Sequence, residues 1–136
     1  MAAGATVAAV TALILGFFVL GSPNEQRLAR ADNQRIAALA KLAGEVNSSW
    51  RNAKHALPSS LAAVSVSSPS DPITGAPYEY HSIGADQYEL CATFSRDNRQ
   101  DATQGQSRFW LHPKAHYCFT LRASQSVPEV YPQFLF

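Results

Sequence analysis

The stretch AAGATVAAVTALILGFFVL, residues 2–20, contains no charged side chain, and its polar side chains are two threonines. A helix rises about 1.5 Å per residue, so roughly 20 apolar residues are needed to cross a ~30 Å hydrocarbon core. Residues 1–22 therefore predict a transmembrane anchor of near-minimal length. The remaining residues, 23–136, are enough for one modest domain with a single core.

A cleaved signal peptide is the alternative for this stretch, because residues 19–22 include small side chains that would suit a cleavage site. However, no lysine or arginine precedes Thr6, and the apolar run is longer than the usual core of a signal peptide. We therefore expect an anchor that is retained.

A second helix is expected over residues 23–54. Ser22 is suited to cap it, Pro23 to its first position, and Glu25 completes a capping box. Apolar residues then recur at steps of three and four, which predicts an amphipathic helix. The stripe comprises Leu28, Ala31, Ile36, Leu39, Leu42, Ala43, Val46 and Trp50.

Residues 55–76 are expected to form a loop that ends in the turn residues 71–75, and residues 124–136 form a tail. Between them, in residues 77–123, alternating side chains predict strands at 77–82, 88–94 and 116–121. The first two strands should form an antiparallel hairpin. Residues 109–111 fit either a short strand or a packed turn. The predicted fold class is therefore α+β, with the long helix packed on an antiparallel sheet of three to four strands.

The sequence contains two cysteines, Cys91 and Cys118, which suggests one disulfide and an oxidising compartment. Side chains alternate between the two faces of a strand, and each cysteine falls on the same face as the polar residues two positions away. Both cysteines should therefore point away from the apolar face of the sheet. The arginines after the anchor favour a cytoplasmic domain instead. We give the cysteines more weight, because nearby acidic residues weaken the charge bias, and we expect an exported domain.

The formal net charge is +1, without the basic stripe of a nucleic-acid-binding protein. The sequence also lacks the common nucleophile, phosphate-binding and zinc-protease motifs. His112 and His116 are four residues apart, but Pro113 interrupts a regular helical turn, so we expect both at the surface or at a strand edge. We therefore expect no catalytic residues, no metal site and no cofactor.

Two segments are candidates for binding partners. In the anchor, small residues recur every four positions and would let another helix approach closely; they are Gly4, Ala8, Ala12 and Gly16. The chain also ends in an apolar, aromatic group, which either folds back over the domain or docks on a partner or the bilayer surface. This group contains Tyr131, Phe134, Leu135 and Phe136.

The order of an apolar helix, a long amphipathic helix and a small sheet resembles type IV pilins and the pseudopilins of type II secretion. Specific runs are similar to a family of bacterial single-span membrane proteins without an assigned function: Gly21-Ser22-Pro23, Leu57-Pro58-Ser59-Ser60-Leu61, residues 71–80, Tyr88 to Phe94, Cys118-Phe119 and Tyr131-Pro132. The run Asp71-Pro72-x-x-Gly75-x-Pro77-Tyr78-x-Tyr80 also resembles the loop-to-strand segment of major pseudopilins. Residues 1–24 lack both the basic leader and the intramembrane glutamate of prepilins, so we do not expect prepilin processing.

This resemblance implies a non-enzymatic structural or accessory component of an envelope assembly. The anchor would lie in a bacterial inner membrane, the domain in the periplasm, and the partners would be other membrane or envelope proteins. An accessory single-span subunit of a large respiratory or photosynthetic membrane complex is the alternative, with the domain capping its exported face. A third hypothesis is a small-ligand binder or an enzyme. We give it less weight than the two assembly hypotheses, because the sequence contains no group of residues typical of a catalytic site.

Overall fold

A computed structural model describes residues 2–20, 22–65, 69–100 and 107–130, and within the first helix it describes the side chains of residues 6–16. Two helices are followed by three strands: α1 Ala2–Leu20, α2 Pro23–Asn52, β1 Glu79–Ser82, β2 Gln87–Phe94 and β3 Ala115–Arg122. Single 3-10 turns span Leu61–Ala63 and Arg108–Trp110. The predicted α+β class with an antiparallel sheet is confirmed.

Within the part of the chain described, no helix combines the length and the apolar character that crossing a membrane requires. The transmembrane anchor over residues 1–22 therefore stays a prediction.

The second helix begins where the sequence predicts. The Ser22 side chain accepts a hydrogen bond of 3.2 Å from the Glu25 backbone N–H, and proline occupies the first turn. The helix ends at Asn52, close to the predicted end, and Lys54 and His55 then adopt left-handed backbone conformations with φ of 54° and 65°. The chain thereby turns away from the helix axis.

The three strands form an antiparallel sheet in the order β1-β2-β3. Tyr80 pairs with Leu90, and Leu90 pairs with Phe119, so one face of the sheet is apolar across all three strands. The open choice for residues 109–111 is decided: the segment forms a 3-10 turn whose Trp110 is buried.

The core lies between the stripe of α2 and the apolar face of the sheet. From the helix it takes Ile36, Leu39, Leu42, Ala43 and Val46; from the strands, Tyr88, Leu90, Ala92, Phe94, Phe119 and Leu121. Trp50 is half-buried and packs at the margin of this core. The predicted packing of helix on sheet is therefore confirmed.

A hydrogen-bonded pair joins helix and sheet inside the core. The Tyr88 hydroxyl donates to Asn47 Oδ1 over 2.7 Å, and Asn47 Nδ2 donates to the Gln125 carbonyl over 2.9 Å. Burial raises the pKa of Tyr88, so its hydroxyl stays protonated and remains a donor.

Replacing Tyr88 by phenylalanine should lower the free energy of unfolding by about 1 to 2 kcal/mol, because the buried Asn47 oxygen loses this donor. Chemical denaturation measures the change. Tyr117→Phe is the matched control at an exposed tyrosine of β3 and should change stability by less than about 0.5 kcal/mol. Equal effects of the two substitutions would contradict a role for the Tyr88–Asn47 bond.

A buried ion-pair network, the Arg35 clamp, fixes the turn before β1. It comprises Arg35, Asp32, Asp71 and Ser95. Arg35 Nη2 donates to Asp71 Oδ1 over 3.0 Å, Nε donates to the other Asp71 oxygen, and Nη1 donates to Asp32 Oδ1 over 2.7 Å and to Ser95 Oγ over 2.8 Å. The guanidinium holds the pKa of the Asp71 carboxyl far below its usual range, and the same contacts raise the pKa of Arg35.

Both aspartates of the clamp also bind backbone N–H groups. Asp71 Oδ1 accepts from Ile73 and Thr74 over 2.9 Å each, which closes the turn that the sequence predicts. Asp32 accepts from the Ser95 and Arg96 N–H groups at the end of β2, again over 2.9 Å. The clamp thus ties α2 both to the turn that precedes β1 and to the end of β2.

Candidate functional site

The two cysteines form the disulfide that the sequence predicts. Cys91 of β2 and Cys118 of β3 are direct partners in the strand register, and their Cα atoms lie 4.0 Å apart. The bridge therefore crosses neighbouring strands at one level of the sheet, and it joins residues separated by 27 positions in the sequence.

The bridge lies on the side of the sheet away from α2, as the strand parity predicts. We call this side the outer face; the partners Glu79–Cys91–Cys118, His81–Glu89–Thr120 and Thr93–His116 point to it. Cys91 is nevertheless only 1 % exposed. The Glu79, His81 and His116 side chains each bring a ligand atom within 4.8 Å of its sulfur and so cover it.

Three polar side chains converge over the bridge. His116 Nε2 lies 3.2 Å from Glu79 Oε1, and His81 Nε2 lies 3.6 Å from Glu79 Oε2. All three side chains are about half exposed, between 51 % and 55 %. One carboxylate therefore lies between two imidazoles directly above the disulfide, in contact with solvent.

We call the set Glu79, His81, Cys91, His116 and Cys118 the outer-face cluster. It contains two overlapping groups of possible metal ligands, each with ligand atoms within 4.8 Å of one another: Cys91, His116 and Cys118, and Glu79, His81 and Cys91. Imidazole, carboxylate and thiolate are the ligands of zinc sites, but the sulfurs can serve only after the disulfide is reduced.

The sequence patterns did not predict this cluster, although every member lies in a predicted strand. Glu79 and His116 are 37 residues apart in sequence. Their meeting requires the register of β1 on β2 and of β2 on β3, which sets the Glu79–Cys91–Cys118 row. One signal in the sequence was available. The alternation of each strand places five residues on the same polar face, namely Glu79, His81, His116 and the two cysteines.

The expectation that His112 lies at the surface or at a strand edge is wrong. His112 is 1 % exposed, and its ring stacks on Phe94 with centroids 3.6 Å apart. Its Nδ1 lies 3.1 Å from the Pro113 carbonyl, while its buried Nε2 has no hydrogen-bond partner among the described residues. Burial lowers the pKa of the ring, and the main-chain contact with Pro113 partly opposes that shift.

Acid should therefore weaken the domain through His112. Because the folded-state pKa lies below the ordinary value of 6.5, the unfolded chain binds more protons below that pH, so the free energy of unfolding should fall as pH drops. One such group contributes at most about 1.4 kcal/mol per pH unit. Denaturation between pH 7.5 and 5 measures this slope.

His112→Phe keeps an aromatic ring on Phe94 and removes the titrating group, so its slope between pH 6.5 and 5 should be smaller. His55→Asn, at an exposed histidine after α2, is the matched control and should keep the wild-type slope. An unchanged slope in His112→Phe would contradict the assignment to His112.

The predicted packing face of α1 lies partly within the described side chains. Ala8 and Ala12 are exposed, and a methyl group placed on Gly16 would meet nothing within 4 Å; the Gly4 position lies outside the described side chains. Large aliphatic side chains of the same helix are also exposed by 51 % to 67 %: Val7, Val10, Leu13, Ile14 and Leu15. An apolar surface of this kind is typical of a helix that binds lipid or another protein.

The final apolar group, Tyr131, Phe134, Leu135 and Phe136, lies outside the described residues. The segment that leads to it folds back on the domain. Val127 and Val130 pack against the core, and the Trp110 indole N–H donates to the Pro128 carbonyl over 3.1 Å. This supports the back-folded alternative as far as Val130.

Comparison with models of known protein families, with characterised proteins and with solved structures finds no match to this chain.

Proposed function

We propose that the protein is a non-enzymatic structural or accessory component of a bacterial envelope assembly. In this proposal α1 anchors the chain in the inner membrane, and the pilin-like α+β domain lies on the exported side. The observation that carries the proposal is α1 itself, which has nineteen residues without a charge and whose described large aliphatic side chains, from Val7 to Leu15, are exposed. Exposed apolar side chains in such number favour a lipid or protein environment over water.

The disulfide supports the exported side. It links β2 to β3 in a domain with one small core, and disulfides persist mainly in oxidising compartments such as the periplasm. The arginines that follow α1 argue for the opposite orientation, but the proposal gives the disulfide more weight, because disulfides are rare in the cytosol.

The use of buried polar groups supports a structural role. Arg35, Asp32 and Asp71 are each bonded to one another or to main-chain N–H groups that define a turn or a strand end. The Tyr88 hydroxyl is held by Asn47. The charges of Arg35, Asp32 and Asp71 thus have partners within the fold and hold its elements together.

Assembly partners would contact the apolar segments. Ala8 and Ala12 are exposed small residues of α1, and a methyl group at Gly16 would meet nothing within 4 Å, so this surface suits close packing with a second helix. The terminal group around Phe134 to Phe136 is the second proposed contact, reached from the back-folded segment that ends at Val130.

Membrane fractionation tests the anchor. The full-length protein should sediment with membranes and resist extraction at alkaline pH. Leu13→Arg should shift it toward the extract, because arginine in the middle of a membrane helix costs roughly 2.5 to 3.5 kcal/mol. Asn24→Arg adds the same charge beyond α1 and is the matched control, so it should fractionate like wild type. Full extraction of the wild-type protein would contradict the proposal.

Purification in mild detergent tests the assembly. Under the proposal, the protein should migrate with other envelope proteins or with further copies of itself, and quantitative mass spectrometry should identify them. Co-purification with subunits of a respiratory or photosynthetic complex would instead favour the alternative. A single-chain particle in every mild detergent would contradict both assignments.

A further inference from the structure

We propose that the reduced form of the outer-face cluster binds one zinc-like divalent cation through Cys91, Cys118, His116 and Glu79, and that the disulfide form does not. The site would be a redox-controlled metal site on the solvent side of the sheet. It is independent of the membrane anchor, because all of its residues belong to the three strands.

The strand register holds the two sulfurs together without the bridge. β2 and β3 pair over eight residues, from Gln87–Arg122 to Phe94–Ala115, and Cys91 and Cys118 lie near the middle of this ladder. Their Cα separation of 4.0 Å allows both side chains to reach one ion. With Zn–S bonds of about 2.3 Å, a tetrahedral site needs the sulfurs roughly 3.8 Å apart, which rotation of the cysteine side chains can supply.

The remaining two ligands are already close to the required spacing. His116 Nε2 and Glu79 Oε1 are 3.2 Å apart, and bonds of about 2.0 to 2.1 Å at a tetrahedral angle place two such atoms roughly 3.3 Å apart. His116 also has a ligand atom within 4.8 Å of both sulfurs. A cation would therefore replace the His116–Glu79 contact while keeping its geometry.

His81 would orient the carboxylate. Its Nε2 lies 3.6 Å from Glu79 Oε2, the oxygen that does not face His116. This distance is longer than a hydrogen bond, so the ring would approach the carboxylate slightly to form the hydrogen bond that fixes a ligand and increases the affinity of a metal site. The mixed set of thiolate, imidazole and carboxylate selects zinc-like ions over Mg²⁺ and Ca²⁺, which prefer oxygen ligands alone.

The switch requires a dithiol reductant. Its thiolate would attack the half-buried Cys118 sulfur, which forms a mixed disulfide and releases Cys91 as thiolate; Cys91 itself is 1 % exposed. The second thiol of the reductant then displaces Cys118 and leaves the reductant as a disulfide. The divalent cation finally binds the two cysteine sulfurs, with release of the protons that the free thiols carry.

Cobalt titration of the full-length protein in detergent tests the proposal, because tetrahedral Co²⁺ with thiolate ligands absorbs strongly in the visible and near-ultraviolet. The reduced protein should bind one equivalent per chain with thiolate-to-cobalt charge-transfer absorption, and Zn²⁺ should displace the cobalt. The oxidised protein should give no such absorption. Failure of the reduced protein to bind would overturn the proposal.

Matched substitutions identify the ligands. His116→Asn and Glu79→Gln should each weaken Zn²⁺ binding at least about tenfold. Loss of a residue that only supports a metal ligand already lowers affinity by about this factor, and loss of a ligand should lower it at least as much. His55→Asn, at a left-handed position that asparagine tolerates, and Glu89→Gln, on the outer face, should bind like wild type. The assignment of His116 and Glu79 as ligands would be overturned if both variants bound Zn²⁺ with wild-type affinity. It would also be overturned if one ion were shared by two chains.

Circular dichroism covers the possibility that reduction unfolds the domain. If the reduced protein loses its strand signal, one equivalent of Zn²⁺ should restore it under the proposal. The proposal would be overturned if the reduced protein stayed unfolded in the presence of Zn²⁺. It would equally be overturned if the reduced protein stayed folded but did not bind the metal.

Discussion

Replacing Arg35 by leucine should lower the free energy of unfolding by about 3 to 5 kcal/mol, a large part of the stability of a domain of this size. Arg35 is 3 % exposed and is bonded to both Asp32 and Asp71. Removing the guanidinium leaves two buried carboxylates without their counter-charge. Leucine fills part of the volume, so the loss reflects mainly the unpaired charges.

Chemical denaturation at pH 7.5 measures this effect, and Arg30→Leu is the matched control. Arg30 is an exposed arginine of the same helix, and its substitution should change the free energy of unfolding by less than about 0.5 kcal/mol. The Arg35 variant should also expose residues 71–76 to proteolysis, because Asp71 holds that turn. A loss below about 1 kcal/mol would contradict the role of the Arg35 clamp in tying α2 to the turn before β1.

Removing the disulfide should have the second large effect. Cys91→Ala together with Cys118→Ala should lower the free energy of unfolding by roughly 3 to 4 kcal/mol, mainly because the unfolded chain regains the freedom of a loop of about 28 residues. For a domain of about 110 residues, this corresponds to a fall in melting temperature of well over 10 °C. Calorimetry of the oxidised protein and the double variant measures the difference.

The matched control for the cysteine substitutions is the next cross-strand pair on the outer face, Glu89 and Thr120. Glu89→Ala together with Thr120→Ala removes a cross-strand contact of 3.3 Å at an exposed position, so it should cost less than about 1 kcal/mol. A similar fall in both double variants would mean that strand pairing, and not the covalent bridge, accounts for the loss.

Much of the fold could be predicted from local patterns. The capping box at Ser22, the apolar stripe of α2 and the alternation in β2 and β3 each follow from the period of one element. The disulfide was predicted from the presence of two cysteines, and the alternation placed Cys91 and Cys118 on one face of the sheet. These predictions needed no long-range information beyond the pairing of two strands.

The Arg35 clamp could not be predicted in this way. Asp71 lies 36 residues from Arg35, and the turn that carries it reaches the helix only in the folded chain. The sequence identified Asp71 as a turn residue, and the structure shows that the same carboxylate has a second partner. His112 is a similar case, because its burial depends on Phe94 from another element.

The outer-face cluster required both strand registers. A shift of β1 by one residue on β2 would turn Glu79 and His81 to the opposite face of the sheet, away from the bridge. Sequence alone gives the parity of each strand but not its offset from the next, so it could not place Glu79 beside His116. The site is therefore a consequence of tertiary structure.

Protease treatment of intact spheroplasts tests the proposed membrane topology. If α1 anchors the chain in the inner membrane with its domain exported, the added protease should degrade the domain in the intact spheroplasts, and the protein should be membrane-bound beforehand. Arg35→Leu should be degraded faster under the same conditions. Protection of the domain until the spheroplasts are lysed, or recovery of the protein in the soluble fraction, would contradict this membrane topology.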